Sequence, residues 1–140
     1  NMTLTVILSI IFIHWVADFI FQAEEWATNK SKSFKALVKH TATYSFIWYL
    51  VMFGFSIWKN HFGGPTIKDL GWSPWMGLFP IITFIFHTIT DYFTSKVVSR
   101  KFANNEYGSP IPNFGAFTVI GFDQVLHYIQ LFGTYYLLTK

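Results

Sequence analysis

The sequence predicts an all-α integral membrane protein, a four-helix bundle with polar His/Asp stripes facing the bundle centre. The 140-residue chain is 52% hydrophobic and 21% aromatic, and only 12% of its residues are charged, about half the charged share of an ordinary soluble domain. Four apolar segments are long enough to cross a bilayer, which requires roughly 20 residues. The polar residues inside these segments recur at helical spacing, as on the inner faces of a bundle.

The four spans are predicted within a single transmembrane domain of residues 1–140, at residues 2–22, 36–58, 75–96 and 116–138. No charged segment precedes the first span and no small-residue cleavage site follows it, so we expect a retained span rather than a signal peptide. The third contains Pro80, which predicts a kink or a start near that residue. The intervening segments are rich in Gly, Pro, Asn and Ser and are predicted to be loops.

The positive charges are distributed unevenly between the two sides of the predicted bundle. Seven lie in or beside the first and third loops, namely Lys30, Lys32, Lys35, Lys39, Lys96, Arg100 and Lys101. Three lie on the other side, namely Lys59, Lys68 and Lys140. Because cytoplasmic loops carry an excess of Lys and Arg, we expect both termini outside the cytoplasm. The net charge of +3 is then explained by topology and contact with the lipid bilayer, and no nucleic-acid partner is predicted.

Ionisable residues inside the spans occur in pairs four residues apart, which places both members of a pair on one helix face. The pairs are His14 and Asp18, His40 and Tyr44, His87 and Asp91, and Asp123 and His127. The order of carboxylate and imidazole reverses in the fourth span, which runs opposite to the first and third. The three carboxylates and His40 are therefore expected in one layer near the cytoplasm. The other histidines and Tyr44 form a deeper layer, about 6 Å away.

These stripes predict a metal site. Each ionisable group in hydrocarbon destabilises a membrane protein by on the order of several kcal/mol unless it is paired or hydrated. Such groups therefore face the interior of the bundle and usually belong to a functional site. The chain has no cysteine, and its nitrogen and oxygen donors suit one or two divalent ions such as zinc, iron or manganese. The predicted ligands are His14, Asp18, His87, Asp91, Asp123 and His127. Gln22 and Gln124 are expected to orient them. A metal-free polar network or a proton path is the alternative.

The leading functional hypothesis is a membrane-embedded, metal-dependent hydrolase. A site just inside the cytoplasmic leaflet suits a lipid-linked or amphipathic ester, such as a phosphoester, which the metal would polarise. His40 or one of the carboxylates would act as general base, and Tyr44 would donate to developing charge. Lys30 or Lys96 would hold the anionic head of the substrate. The sequence contains no HExxH metalloprotease motif, so the reaction class depends on the location of the site.

Divalent-cation or proton transport is the rival hypothesis. The paired HxxxD motifs are similar to the transport site of cation-diffusion-facilitator zinc carriers, and with only four spans a transporter would need to be a homodimer. Transport needs a polar path to both sides, whereas the outer halves of the spans carry only scattered hydroxyl groups, which favours a cavity open to one side. A non-enzymatic phage effector that binds a host membrane protein is a third alternative, but it leaves the stripes unexplained.

Several short motifs follow one another along nearly the whole chain: "HWVADFIFQ", "NK", a histidine that opens the second span, "HTITDYFTSK" and "DQVLH". Their order resembles the domain of unknown function 3307 family, small polytopic membrane proteins of bacteria and phages. The residues that carry the resemblance are His14, Asp18, Phe19, Gln22, Lys30, His40, His87, Asp91, Lys96, Asp123, Gln124 and His127. The resemblance implies a location in the bacterial inner membrane. It implies no particular activity.

Overall fold

The computed structural model describes residues 2–62, 74–108 and 114–140, and every regular element within these ranges is helical. The predicted all-α class is therefore confirmed for the described residues. The elements are α1 (Leu4–Trp15) with a π-helical turn (Val16–Ile20), α2 (Glu24–Asn29), α3 (Phe34–Phe62), a 3-10 turn (Pro74–Leu78), α4 (Phe79–Ala103) and α5 (Ala116–Leu138). The side chain of Lys59 and the whole of Lys68, both used to predict orientation, lie outside the described part.

α1 begins at a capped end and finishes in a widened turn. The Thr3 hydroxyl accepts a hydrogen bond from the amide of Val6 at 3.3 Å, which satisfies one of the free amides at a helix start. At the other end the amide of Phe21 donates to the carbonyl of Val16 at 3.1 Å, the five-residue step of a π-helix. Such turns are rare and frequently lie at functional sites. This one contains the buried Asp18.

α2 forms where the sequence analysis placed a loop. Its first turn contains Glu24 and Glu25, whose negative charges are favourable beside the positive end of the helix dipole. At its end the side-chain amide of Asn29 donates to the carbonyl of Glu25 at 2.8 Å. The short helix turns the chain back toward the bundle and brings Lys30 into its interior, where the lysine pairs with an aspartate of α4.

α4 starts later and ends later than the predicted third span. Pro80 lies in its first turn, where the missing amide hydrogen does no harm, so this residue marks a start and not a kink. The helix continues to Ala103 because no Gly or Pro interrupts it. It ends before Asn105, which has a φ of 59°, a left-handed conformation that asparagine adopts more readily than most residues.

The four long helices enclose one interior with two different halves. α1 with its π turn contacts α3 and α5, and α4 contacts the same two helices, as in a four-helix bundle. We call one end of the interior the apolar half; its core consists mainly of Ile10, Trp48, Met76, Phe79 and Leu131. We call the other end the polar half, because its buried residues include His14, Asp18, His40, His87, Asp91, Asp123 and His127.

The exterior is apolar although the polar half is charged. Phe12, Phe93 and Ile129 are 62%, 62% and 64% exposed, and many other large hydrophobic side chains share this position. Among the described residues, the helical stretch Trp75–Ala103 is long and apolar enough to cross a membrane, whereas the apolar stretch Leu4–Ile20 is shorter. The arrangement of four spans stays a prediction.

Candidate metal centre

Four buried residues from three elements form a cluster in the polar half. Asp18 comes from the π turn and His40 from α3, while His87 and Asp91 lie on one face of α4 because four residues separate them. In the order Asp18, His40, His87 and Asp91, they are 5%, 1%, 0% and 1% exposed. Burying carboxylates and imidazoles to this extent destabilises the protein unless they find hydrogen-bonding or charged partners. Their mutual contacts therefore decide what the cluster can bind.

Asp18, His40 and His87 present three donor atoms as a compact triangle. Nε2 of His40 lies 3.1 Å from Oδ1 of Asp18 and 3.2 Å from Nε2 of His87. The third side, from His87 Nε2 to Asp18 Oδ1, is 3.4 Å. In a tetrahedral site with bonds of about 2.0–2.1 Å, neighbouring ligand atoms are about 3.3–3.4 Å apart. These buried His and Asp groups could hold a metal ion.

Asp18 supports this interpretation through an unsatisfied atom. Its Oδ1 is buried and accepts no hydrogen bond from the described residues, although His40 Nε2 is close by. A buried carboxylate oxygen without a donor is unfavourable, and a cation on the triangle would satisfy it. Nδ1 of His40 likewise has no hydrogen-bond partner among the described residues.

Asp91 stands beside the triangle and is held by a lysine. Its Oδ2 lies 3.1 Å from Nε2 of His40 and 3.7 Å from Nε2 of His87, and it accepts a hydrogen bond from Nζ of Lys30 at 2.7 Å. Burial alone would lower the pKa of the Lys30 ammonium, but the charges of Asp91 and Asp18 outweigh this effect. The pKa of Lys30 is therefore raised from its usual 10.5, and the group is a fixed positive charge at the edge of the cluster.

A second group extends from His87 toward α5. Nδ1 of His87 lies 3.1 Å from Nδ1 of His127, and Nε2 of His127 lies 3.3 Å from both Oδ1 of Asp91 and Oδ2 of Asp123. The Thr94 hydroxyl donates to Oδ1 of Asp123 at 2.6 Å. His87, Asp91 and His127 could also hold a metal ion.

The two groups share His87, and this limits how they can be filled together. Ions on both of its ring nitrogens would require the imidazole to lose its remaining proton. With one ion on Nε2, the Nδ1–H of His87 donates to His127, and the Nε2–H of His127 donates to the carboxylates. Metal-bound histidines commonly have such a partner on the other nitrogen, which fixes the ring and raises its basicity. His127 then supports the triangle from outside it.

His14 lies beside the cluster with both ring nitrogens engaged. Nδ1 is 2.7 Å from the Tyr44 hydroxyl and Nε2 is 2.8 Å from Oε1 of Gln124, whereas Oδ2 of Asp18 is 3.9 Å from Nε2. Since the amide oxygen of Gln124 accepts, His14 carries its hydrogen on Nε2 and accepts from Tyr44. Gln124 in turn donates to Oδ2 of Asp18 at 3.5 Å and Oδ2 of Asp123 at 3.3 Å. It thus has the orienting position expected from the sequence.

Two of the predicted catalytic residues have surroundings that the sequence did not indicate. Tyr44 stacks on His87, with centroids 4.0 Å apart and an interplanar angle of 6°, and its hydroxyl is directed to His14. Nζ of Lys96 lies 3.4 Å from the ring centroid of Tyr92. The structure does not bring Lys96 to the cluster.

A cavity of about 410 Å³ opens beside the cluster, and Asp18, Lys30 and Asp123 line it. Hydroxyl groups of α4 form part of its wall, and Phe19 and Phe102 form part of an apolar side. Ligand pockets commonly measure about 300–1,000 Å³, so the space suits a small ligand or the head of a larger one.

The sequence analysis missed the hydroxyl groups that line this cavity. His87, Asp91, Ser95 and Ser99 follow one another at intervals of four residues, so the two serines continue the helix face that carries the cluster. Both line the cavity, as does Thr94. Extending the stripe beyond its last ionisable residue would have identified them.

Comparisons of the chain with protein-family models, with curated proteins and with solved structures gave no match. The resemblance to the domain of unknown function 3307 family stays a prediction. The function must therefore be inferred from the residues of the cluster and the cavity.

Proposed function

We propose that the protein is a membrane-embedded, metal-dependent hydrolase that acts on an amphipathic ester, such as a lipid-linked phosphoester. One observation carries this proposal: Asp18, His40 and His87 form a triangle of buried donor atoms, and Asp18 also lines the adjacent cavity. Structural zinc sites use four protein ligands, whereas catalytic sites use three and leave a position for water or substrate. Asp91, the nearest further carboxylate, is paired with Lys30.

The charges of the polar half favour one divalent ion. Asp18, Asp91 and Asp123 are opposed by the ammonium of Lys30 alone within this buried group. With neutral imidazoles, two negative charges remain, which equals the charge of one zinc, iron or manganese dication. The mixed nitrogen and oxygen donors suit each of these metals. A single ion also leaves His87 free to keep its hydrogen bond to His127.

Membrane embedding is supported by the inverted distribution of polarity. Large hydrophobic side chains cover the exterior while carboxylates are buried, the arrangement required of ionisable groups within a bilayer. The four predicted spans correspond to α1 with its π turn, α3, α4 and α5. The cavity lies toward α2 and the end of α4, the side that the Lys and Arg distribution assigns to the cytoplasm. Substrate would enter from that leaflet.

The residues around the triangle suit ester hydrolysis. A divalent ion supplies Lewis-acid polarisation and a water of lowered pKa. His40, one of the bases expected from the sequence, belongs to the triangle, so we assign this role to one of the carboxylates, Asp123, which lines the cavity outside the triangle. Asp123 takes the proton of the attacking water and returns it to the leaving alcohol as the ester bond breaks. His127 and Thr94 hold its two oxygens in place.

Transport is less well supported because the apolar half closes the other end of the interior. Trp48 and Phe79 are 1% and 0% exposed and their ring centroids are 5.1 Å apart. A charged substrate would have to cross this packed region, where a buried polar atom such as Nε1 of Trp48 carries no charge that would balance that of the substrate. We therefore expect no metal flux when the protein is reconstituted in liposomes.

The metal content of detergent-purified protein tests the proposal. We expect about one equivalent of a divalent transition metal in the parent and, after Asp18→Asn, less than about a tenth of that amount. Glu25→Gln, which removes an exposed carboxylate of α2, is the matched control and should keep the metal. Asp123→Asn should also keep the metal but abolish hydrolysis of lipid phosphoesters.

Two outcomes would contradict the proposal that the protein is a metalloenzyme. One is a parent protein that takes up no zinc, manganese or iron after loading. The other is an Asp18→Asn variant that folds and binds as much metal as the parent. Metal loss in Asp123→Asn would instead indicate that the second group binds the ion.

A further inference from the structure

We propose that the cavity binds the anionic, phosphate-type head of an amphiphile, with Lys30 and Ser95 holding the head and the hydrocarbon chain leaving past Phe19 and Phe102. This inference rests on the proposed function, because the metal would supply part of the positive charge. It adds the residues that recognise the substrate and the part of the substrate that each of them contacts.

Ser95 is the first observation in its favour. The residue is 9% exposed and lines the cavity, yet its Oγ is buried and has no hydrogen-bond partner among the described residues. Serine and threonine in a helix often donate to the carbonyl of the preceding turn. Thr88 of the same helix does so, to the carbonyl of Phe84 at 2.7 Å. Ser95 does not, so its hydroxyl hydrogen is left without an acceptor among the described residues.

Some of the unsatisfied polar atoms of the described residues belong to residues that line this cavity. Seven buried side-chain atoms lack a partner, and three of them belong to residues that line it, namely Asp18, Gln22 and Ser95. An ion on the triangle accounts for Asp18. Gln22, in the bend between the π turn and α2, and Ser95, in α4, both line the cavity, and buried polar groups in proteins are nearly always paired. An anionic oxygen of a ligand would accept a hydrogen bond from the Ser95 hydroxyl, whereas Oε1 of Gln22 is itself an acceptor and needs a donor such as water or a P–OH hydrogen.

A bound metal ion makes the cavity compatible with an anion, because the dication balances the two net negative charges of the polar half. Lys30 is the positively charged residue among those that line the cavity, and it is engaged with Asp91 at 2.7 Å. A dication on the triangle would compete for the negative charge of that carboxylate. The ammonium has three donor hydrogens and would then have donors available for an oxygen of the ligand.

The apolar side of the cavity decides between a free anion and an amphiphile. Phe19 and Phe102 both line the cavity and reach the exterior, where they are 45% and 39% exposed. Val98 and Ile120 line it as well. Inorganic phosphate would leave these side chains without a partner, whereas a hydrocarbon chain would cover them and pass into the bilayer.

Binding of dodecylphosphonate, a non-hydrolysable amphiphile, tests the subsite by titration calorimetry on the metal-loaded protein in neutral detergent. We expect Lys30→Gln to weaken binding about tenfold and Ser95→Ala about fivefold, without loss of metal from the serine variant. Ser45→Ala is the matched control, because Oγ of Ser45 is also buried and unpartnered but lies away from the cavity. It should bind within about twofold of the parent. Inorganic phosphate should bind at least about tenfold more weakly than the amphiphile.

The possible failures separate this inference from the proposed function. Metal uptake with binding that Ser95→Ala leaves unchanged would keep the metal site and overturn the subsite. If the protein takes up no metal but binds the phosphonate through Lys30 and Ser95, the proposed subsite would be supported and the proposed hydrolase function contradicted. Equal affinity for inorganic phosphate and the amphiphile would overturn the lipid-like substrate. Absence of phosphonate binding, with or without metal, would overturn the subsite.

Discussion

The apolar and polar halves of the interior are built from the same helices but depend on different forces. In the apolar half, Trp48 and Phe79 pack ring against ring, and burial of one large apolar side chain contributes about 1.5–3 kcal/mol. In the polar half, Asp91 and His87 are equally buried, but removing such groups from water is unfavourable unless each finds a partner. α3 and α4 contribute residues to both halves.

This difference indicates a division of roles. Buried ion pairs add little net stability compared with well-packed hydrophobic residues, so the bundle does not need the polar half in order to fold. Substitutions in the apolar half should therefore lower the free energy of unfolding. Substitutions in the polar half should mainly lower the affinity for metal. The three variants below test this separation, from the largest expected effect to the smallest.

Trp48→Ala should have the largest effect. Truncation of a buried tryptophan typically lowers the free energy of unfolding by about 3–5 kcal/mol, which denaturant unfolding in micelles would measure. Trp48 lies beside Tyr44, with ring centroids 6.5 Å apart, and is not one of the cluster residues, so the metal bound per folded chain should stay at the parental level. The free energy of unfolding of a milder Trp48→Phe variant should lie between those of the parent and of Trp48→Ala. Loss of metal from a fully folded Trp48→Ala protein would show that the halves are coupled.

His127→Gln tests whether the second group supports the triangle from outside. Removing a hydrogen-bond partner of a metal-bound histidine lowers metal affinity by about 10–100-fold, which competition with a coloured chelator would measure. His61→Gln, at an exposed position of α3, is the matched control and should keep the parental affinity. Unchanged affinity in His127→Gln would contradict the supporting role, and complete loss of metal would make His127 a ligand.

Tyr44→Phe, at the boundary between the halves, should have the smallest effect on metal affinity. The phenyl ring can keep its stacking on His87, whereas Nδ1 of His14 loses the hydroxyl that donates to it at 2.7 Å. Leaving a buried acceptor unsatisfied costs about 1–3 kcal/mol, so the free energy of unfolding should fall by that amount. Metal affinity should change by no more than about threefold. A larger loss would indicate that His14 contributes directly to the site.

Much of the bundle could be predicted because its signals are local. Apolar length placed the four long helices, and four-residue spacing put His87 and Asp91 on one face. The predicted layers also bring residues together, since His40 lies 3.1 Å from both Asp18 and Asp91. Spacing and depth were sufficient for these contacts because all the partners project from long helices into one interior.

Other features depended on tertiary structure or on a signal that was overlooked. The bond between His14 and Gln124 joins residues that are 110 positions apart, and no local pattern indicates it. The location of Lys30 depends on α2, which was predicted as a loop. Lys96 could have been excluded, because it follows the inward-facing Ser95 by one residue and therefore points about 100° away from it.

The π turn of α1 also bears on how the chain length of this helix can change during evolution. A π turn holds one residue more than an α-helical turn, so loss of one residue between Val16 and Ile20 converts it into ordinary helix. Loss of a residue elsewhere in α1 would rotate one part of the helix against the other by about 100°. A single-residue insertion is therefore the simplest origin of the turn that holds Asp18, acquired without disturbing the faces of the helix on either side.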